Sequence, residues 1–370
     1  MNHKTRDVRF VNEDLKRTKK LIVAIGDSFT YGSSAWDEEL VELYPPIYKD
    51  YTIDYNFYDD VVKKKINQLY PETTSLKDNI LSFTEMFQKN SYLSVLGEKL
   101  NNEWTCLNLG VSARGNFSAI SSLFLAGVNW KLAEEVVVIF MPSSMNRVDV
   151  VNDTLNSYSS IPTDYFLTAW PSSIHTRGFR ETNQATIKAH GTNDAPWNLF
   201  QDSIYDSLWS EKYEVLKTVL EFQFLKNWAE LHNGKLIILP AFSSYYTREY
   251  FYNTVSQEVN RKQPSRELIQ ITENSIHRDS WYEYVDLMPW ENFHHPEGYH
   301  SFYHYSLGQV DKNANNANML ELIGKPSKDN WIMACGHPSG KAHALIADYL
   351  LQNVFKPEKQ DIYNRIQRII

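Results

Sequence analysis

Five short runs of aliphatic residues interrupt a chain that is otherwise polar and rich in aromatic rings: KLIVAIG at 20–26, WTCLNLG at 104–110, EVVVIFM at 135–141, KLIILP at 235–240 and, less regularly, YEYVDLM at 282–288. Their apolar positions are continuous rather than alternating. A strand covered on both faces reads that way, so the runs predict a parallel sheet. Between them lie stretches with helical spacing: SYLSVLGEKLNN at 91–102, SAISSLFLAGVNWKLAEE at 118–135 and YEVLKTVLEFQFLKNWAELHNG at 213–234. The last ends in Asn233-Gly234, a helix stop placed directly before the next run. A final segment, 340–355, sets Ala342, Leu345, Ile346, Tyr349, Leu350 and Val354 at three- and four-residue intervals, which predicts a packed amphipathic helix. Strands alternating with helices imply right-handed βαβ crossovers. The expected fold is α/β, a three-layer α/β/α sandwich around a central parallel sheet.

Three stretches, at about 37–90, 150–210 and 241–330, break the alternation. They are rich in Tyr, Trp, Asn, Ser and Pro and read as insertions on the rim of the sheet rather than as separate domains. The expected organisation is a charged arm over 1–19, one domain over 20–358 carrying these insertions, and a tail over 359–370. In the first 20 residues seven Lys or Arg meet three Asp or Glu. Such mixed charge reads as a solvated arm or docking segment.

Composition narrows the class. With 370 residues, 42% hydrophobic and 14% aromatic, the chain can bury a sizeable core, and extended disorder is excluded. A net charge of −8 argues against nucleic acid as the main partner. The first residues lack the apolar core of a signal peptide, so synthesis in the cytoplasm without export is expected. No stretch approaches the roughly 18 apolar residues of a membrane span. Two cysteines, Cys106 and Cys335, provide neither a disulfide framework nor a CxxC knuckle.

The first strand stops abruptly at Gly26-Asp27-Ser28. Ser28 then lies just past the carboxyl edge of the sheet, where open α/β sheets gather ligand-binding residues. A serine hydroxyl is a poor nucleophile unless a base takes its proton, so the reading requires a histidine. His337, in CGHPSGKAHALIADYL, stands on a Pro- and Gly-containing turn before the terminal helix.

Together these two stretches resemble the SGNH hydrolase superfamily, the GDSL esterase/lipase family. VAIGDSFTYG matches its first block and HPSGKAHALIADYL its last, with Ala342-His343 in place of the family's Gly-His pair, and each block lies toward its own end of the chain. The resemblance implies an SGNH/flavodoxin-like fold and acyl transfer without a metal or organic cofactor. Ser28 would be the nucleophile and His337 its base. The family's second block supplies an oxyanion-hole glycine; in LNLGVSARGNFS its place falls on Ala113, with Gly115 the other choice. The third block, usually Gly-x-Asn-Asp, is met by VIFMPSSMNRVD, so Asn146 corresponds to the oxyanion-binding Asn. Asp27, Gly115, Asn116 and Arg147 form a second tier of pocket candidates.

The family's acid, three residues before the catalytic His, is replaced here by Ala334. Either a Ser-His dyad operates or a distant carboxylate substitutes, Asp329 and Asp286 being the candidates, or the site is degenerate. A rival cluster, NFHHPEGYHSFYH, places His300 and His304 four apart, with His295 or Glu297 as a further zinc ligand. Its other reading is an aromatic surface loop.

The expected activity is that of a serine esterase or deacetylase acting on an ester-bearing small molecule or an acetylated polysaccharide. GDSF, GVSARGN and MNRVD also resemble SGNH-type proteins of tailed bacteriophages. That narrower likeness implies association with the virion, with virion proteins or further copies of the chain as partners. The competing class is a non-catalytic structural or host-binding protein on the same scaffold, and the third is a metal-dependent hydrolase built on His295, His300 and His304.

Overall fold

The structure is a computed structural model. It describes residues 8–32, 35, 89–111, 115–143, 145, 147–151, 166–169, 211–241, 246–256, 282–299, 301–310, 333–334 and 337–355. The three expected insertions lie largely outside these residues.

The chain has mixed α/β content around a four-stranded parallel sheet. Its strands are β1 (Lys20–Gly26), β2 (Thr105–Asn108), β3 (Glu135–Met141) and β6 (Gly234–Ile238), in the order β2-β1-β3-β6. Four of the five aliphatic runs thus form the sheet. A small antiparallel pair, β4 (Val148–Val151) with β5 (Phe166–Ala169), follows the third strand. A second pair near the carboxyl end joins β7 (Met333–Ala334) to β8 (His337–Pro338).

The helices are α1 (Val8–Thr18), α2 (Ser28–Tyr31), α3 (Tyr92–Lys99), α4 (Asn116–Leu125), α5 (Glu211–Leu231), α6 (Arg248–Ser256), α7 (Phe302–Val310) and α8 (Gly340–Leu350), the last running on into a π turn over Leu351–Phe355. Strand residues of alternating parity join different apolar clusters. Leu21, Val23, Ile25, Val136, Val138 and Phe140 pack with residues of α1, α4 and α5. Ile22, Ala24, Val137, Ile139 and Met141 pack with residues of α3, α7 and α8. A strand points successive side chains to opposite faces, so the continuous apolar pattern is what burial against both clusters demands.

Two expectations are corrected. The segment read as a charged, solvated arm forms α1 from residue 8 onward, and its Val11 and Leu15 are buried beside β2. Val8, Val11 and Leu15 recur at helical spacing, a stripe that the surrounding charges hide. The run at 282–288 is no strand: residues 282–286 are helical. Phe293 instead makes a single parallel bridge to Ile238, and the His294 N–H donates to the Ile238 carbonyl at 2.9 Å.

Candidate active site at the carboxyl edge of the sheet

The strand order places β1 and β3 side by side while their onward connections leave in opposite directions. That is the switch point at which open α/β sheets form a crevice beyond their carboxyl ends. Gly26, Asp27 and Ser28 stand there. Gly26 adopts φ +150°, and a Cβ at this position would lie 2.3 Å from Thr30 Oγ1 and 2.5 Å from the Met141 carbonyl oxygen. Only glycine lets the chain turn from strand into helix so tightly against β3. Asp27 then caps α2, its Oδ1 accepting from the Phe29 N–H at 3.0 Å, and Ser28 is the first residue of that helix, largely buried. The turn is therefore set by backbone geometry before any reaction is considered.

The loop after β2 clasps the same helix. Asn108 Nδ2 donates to the Thr30 carbonyl at 2.8 Å, its Oδ1 accepts from the Gly110 N–H at 2.9 Å, and the Val111 N–H donates to the Gly26 carbonyl at 3.1 Å. Gly110 leaves no room for a side chain, since a Cβ would lie 2.4 Å from the Tyr31 nitrogen. Gly115 precedes α4, and its N–H donates to Asp149 Oδ1 at 2.9 Å, while the Ser118 N–H donates to Asp149 Oδ2 at 2.7 Å. Asp149 thus caps α4, and the Gly115 amide is already committed. Asn116 is buried: its Nδ2 donates to the Tyr246 hydroxyl at 3.1 Å and its Oδ1 accepts from the Ser143 N–H at 2.8 Å. Tyr246 in turn donates to the Ser143 carbonyl. Asn116 is a tie between α4 and the end of β3, and burial holds the Tyr246 hydroxyl protonated, far above the usual tyrosine range.

Arg147 lies beneath Ser28's turn. Its Nη1 donates to Asp27 Oδ2 at 3.1 Å, with side-chain exposures of 9% for the arginine and 0% for the aspartate. Burial pulls the guanidinium below its ordinary range, and the charges of Asp27 and Asp149 oppose that pull. Lys217 Nζ donates to the Arg147 carbonyl at 2.5 Å and stands 4.0 Å from Glu221 Oε1. Burial raises the Glu221 carboxyl to about 7, with Lys217 acting against the shift and Asp149 adding to it.

The histidine segment reaches the same place. The backbone of His337–Pro338 in β8 neighbours α2, and His337 pairs across the hairpin with Ala334. Ser339 caps α8, accepting from the Ala342 N–H at 3.5 Å. His343, in the position of the family's paired histidine, is buried between α8 and α3, where its Nδ1 accepts from the Tyr92 N–H at 3.1 Å and its ring stacks on that tyrosine.

The remaining candidates divide. Ala113, Asn146, Asp329 and His300 lie outside the described residues, as does Cys335. Asp286, expected at the end of a strand, closes the helical turn over 282–286 instead; it is exposed and accepts from the Tyr252 hydroxyl. His295 stacks on Phe293, and His304 Nδ1 is 3.0 Å from Ser301 Oγ. Among the described residues no three His, Cys, Asp or Glu side chains converge as a metal site. No described helix is long and apolar enough to cross a membrane.

Sequence reasoning missed Asp149, Tyr246, Lys217 and Glu221. Asp149 stands three residues after Asn146, close enough to be noticed as an acid displaced along the third block; the other three carried no local signal. Comparison with protein-family models, curated proteins and solved structures gave no match.

Proposed function

We propose that the chain is a serine ester hydrolase of SGNH type, folded as a three-layer α/β/α sandwich, with Ser28 as nucleophile and His337 as its base. The observation that carries this reading is the meeting of α2, which begins at Ser28, with the backbone of His337–Pro338 at the β1/β3 switch point. These segments are separated by some three hundred residues of sequence and come from the two blocks that suggested the chemistry. In the proposed reaction His337 takes the Ser28 proton as Oγ attacks the ester carbonyl, the alcohol departs with a proton from His337, and water cleaves the acyl-enzyme. The Ser28 and Ala113 N–H groups and the Asn146 amide would hold the oxyanion. Gly115 is the weaker donor candidate because its N–H already serves Asp149. An O-acetylated carbohydrate is the substrate class proposed, and association with a virion belongs to the same reading.

A second reading, a non-catalytic scaffold in structural or host-binding use, draws on one observation: alanine occupies the place across from His337 where an orienting acid would stand. Hydrolysis of p-nitrophenyl acetate by the purified protein, beside Ser28→Ala and His337→Ala, separates the two. The esterase reading expects activity that both substitutions reduce to background, together with labelling of Ser28 by a fluorophosphonate. Inertness of all three proteins, with no labelling, would leave the scaffold reading.

A further inference from the structure

Helix α5 buries Val215, Val219, Phe222, Leu225 and Ala229 in the core, yet it carries further apolar residues on its outer side. On α5, Lys217 and Glu221 reach the polar cluster at Arg147 and Glu214 is buried, whereas Tyr213, Leu220, Phe224 and Leu231, which share one side of the helix, are exposed. Neighbouring α4 carries no charged residue at all and exposes Phe117, Phe124 and Leu125. The two sets join into one surface, because Phe124 contacts Phe224 at 5.4 Å between ring centroids and Trp228 at 5.8 Å. Exposure of these seven large residues runs from 45% to 83%.

A lone apolar residue on a surface is ordinary, but a contiguous patch is not. A large side chain presents roughly 150–250 Å², so seven residues about half exposed offer on the order of 700 Å². A standard interface buries about 800 Å² per partner. From this match of area we infer that the α4/α5 face is the interface of a two-fold symmetric homodimer, in which each chain lays this seven-residue apolar face against the same face of a second copy. Two-fold pairing needs only a self-complementary surface, and an uncharged apolar ridge meets that condition without matched charges. The α4 end of the ridge, at Phe117, adjoins Asn116 and so the floor of the candidate site. The inference stands whether or not the chain is an esterase.

The test is the mass of the full chain by light scattering after size exclusion, over a dilution series, beside the double variant Leu220→Lys/Leu231→Lys. Both positions are mostly exposed, 58% and 83%, so the substitutions leave the core intact. The expected result is twice the 43.2 kDa chain mass for the wild type and a dimer dissociation constant raised on the order of 100-fold or more in the variant, since charge would be buried against apolar surface. A wild type that is monomeric at every concentration overturns the proposal and assigns the face to another segment or another protein. A dimer indifferent to the two lysines overturns it too, placing the interface elsewhere. Should the variant fail to fold, hydrogen exchange on the wild type decides: protection of 116–125 and 213–231 must fall on dilution, and unchanged protection refutes the interface.

Discussion

Asp27 and Arg147 meet at 3.1 Å inside the protein, and the same carboxylate caps the helix that begins at Ser28. One aspartate therefore couples the turn at Ser28 to the loop after β3. Removing either partner of a buried pair strands the other charge, at a cost of about 3–5 kcal/mol, whereas removing both is far cheaper. Arg147→Met and Asp27→Asn should each lower the unfolding free energy by about that amount, and the double variant should lose much less than the sum. Urea titrations of the four proteins measure the coupling; additive losses would mean that the pair does not act as a unit.

Ala334 pairs with His337 across the β7/β8 hairpin, at the position where the resemblance places an acid. A carboxylate there could orient the imidazole and stabilise it when charged, a role worth about 10⁴ in kcat in serine proteases. Ala334→Asp should raise kcat for p-nitrophenyl acetate by roughly tenfold or more with little change in KM. No gain would indicate that another group already orients His337, or that the histidine does not act as the base.

Glu221 gives a pH dependence with a definite sign. Burial raises its carboxyl from 4.5 in the unfolded reference to about 7 in the fold, so between those values the folded state holds more protons than the unfolded one. Its contribution is fully favourable below about 4.5 and is lost as pH rises through about 7. At about 1.4 kcal/mol per pH unit the loss is on the order of 3 kcal/mol. Glu221→Gln should accordingly flatten the fall in melting temperature between pH 5 and pH 8, read by calorimetry; an unchanged slope would assign it to other groups.

Gly26 tests the turn itself. Its φ of +150° and the closeness of Thr30 Oγ1 and the Met141 carbonyl exclude a side chain. Gly26→Ala should cost about 3 kcal/mol and shift Ser28, so that fluorophosphonate labelling slows even in molecules that remain folded. Full stability in thermal melts would show that the turn relaxes freely.

All four strands of the main sheet were legible because a strand buried on both faces writes itself as a continuous aliphatic run, a local property of chain and solvent. Helices α3, α5 and α8 were legible for the same reason at their own period, as was the placing of Gly26-Asp27-Ser28 at the end of β1. Local pattern misled at 282–288, where a mixed aromatic and aliphatic run satisfies a helix as well as a strand, and tertiary contact awarded the bridge beside β6 to Phe293. It misled again at the amino end, where burial of Val11 and Leu15 beside β2 outweighs the surrounding charge and makes α1 part of the core. The sequence by itself determined the four strands of the main sheet and helices α3, α5 and α8, and suggested the candidate Ser-His chemistry. Only the tertiary structure decided that Asp27 pairs with Arg147, that Asp149 takes the Gly115 amide, that Glu221 is buried and that α5 leaves Leu220, Phe224 and Leu231 exposed. Each depends on contact or burial among residues distant in sequence, which no periodicity along the chain records.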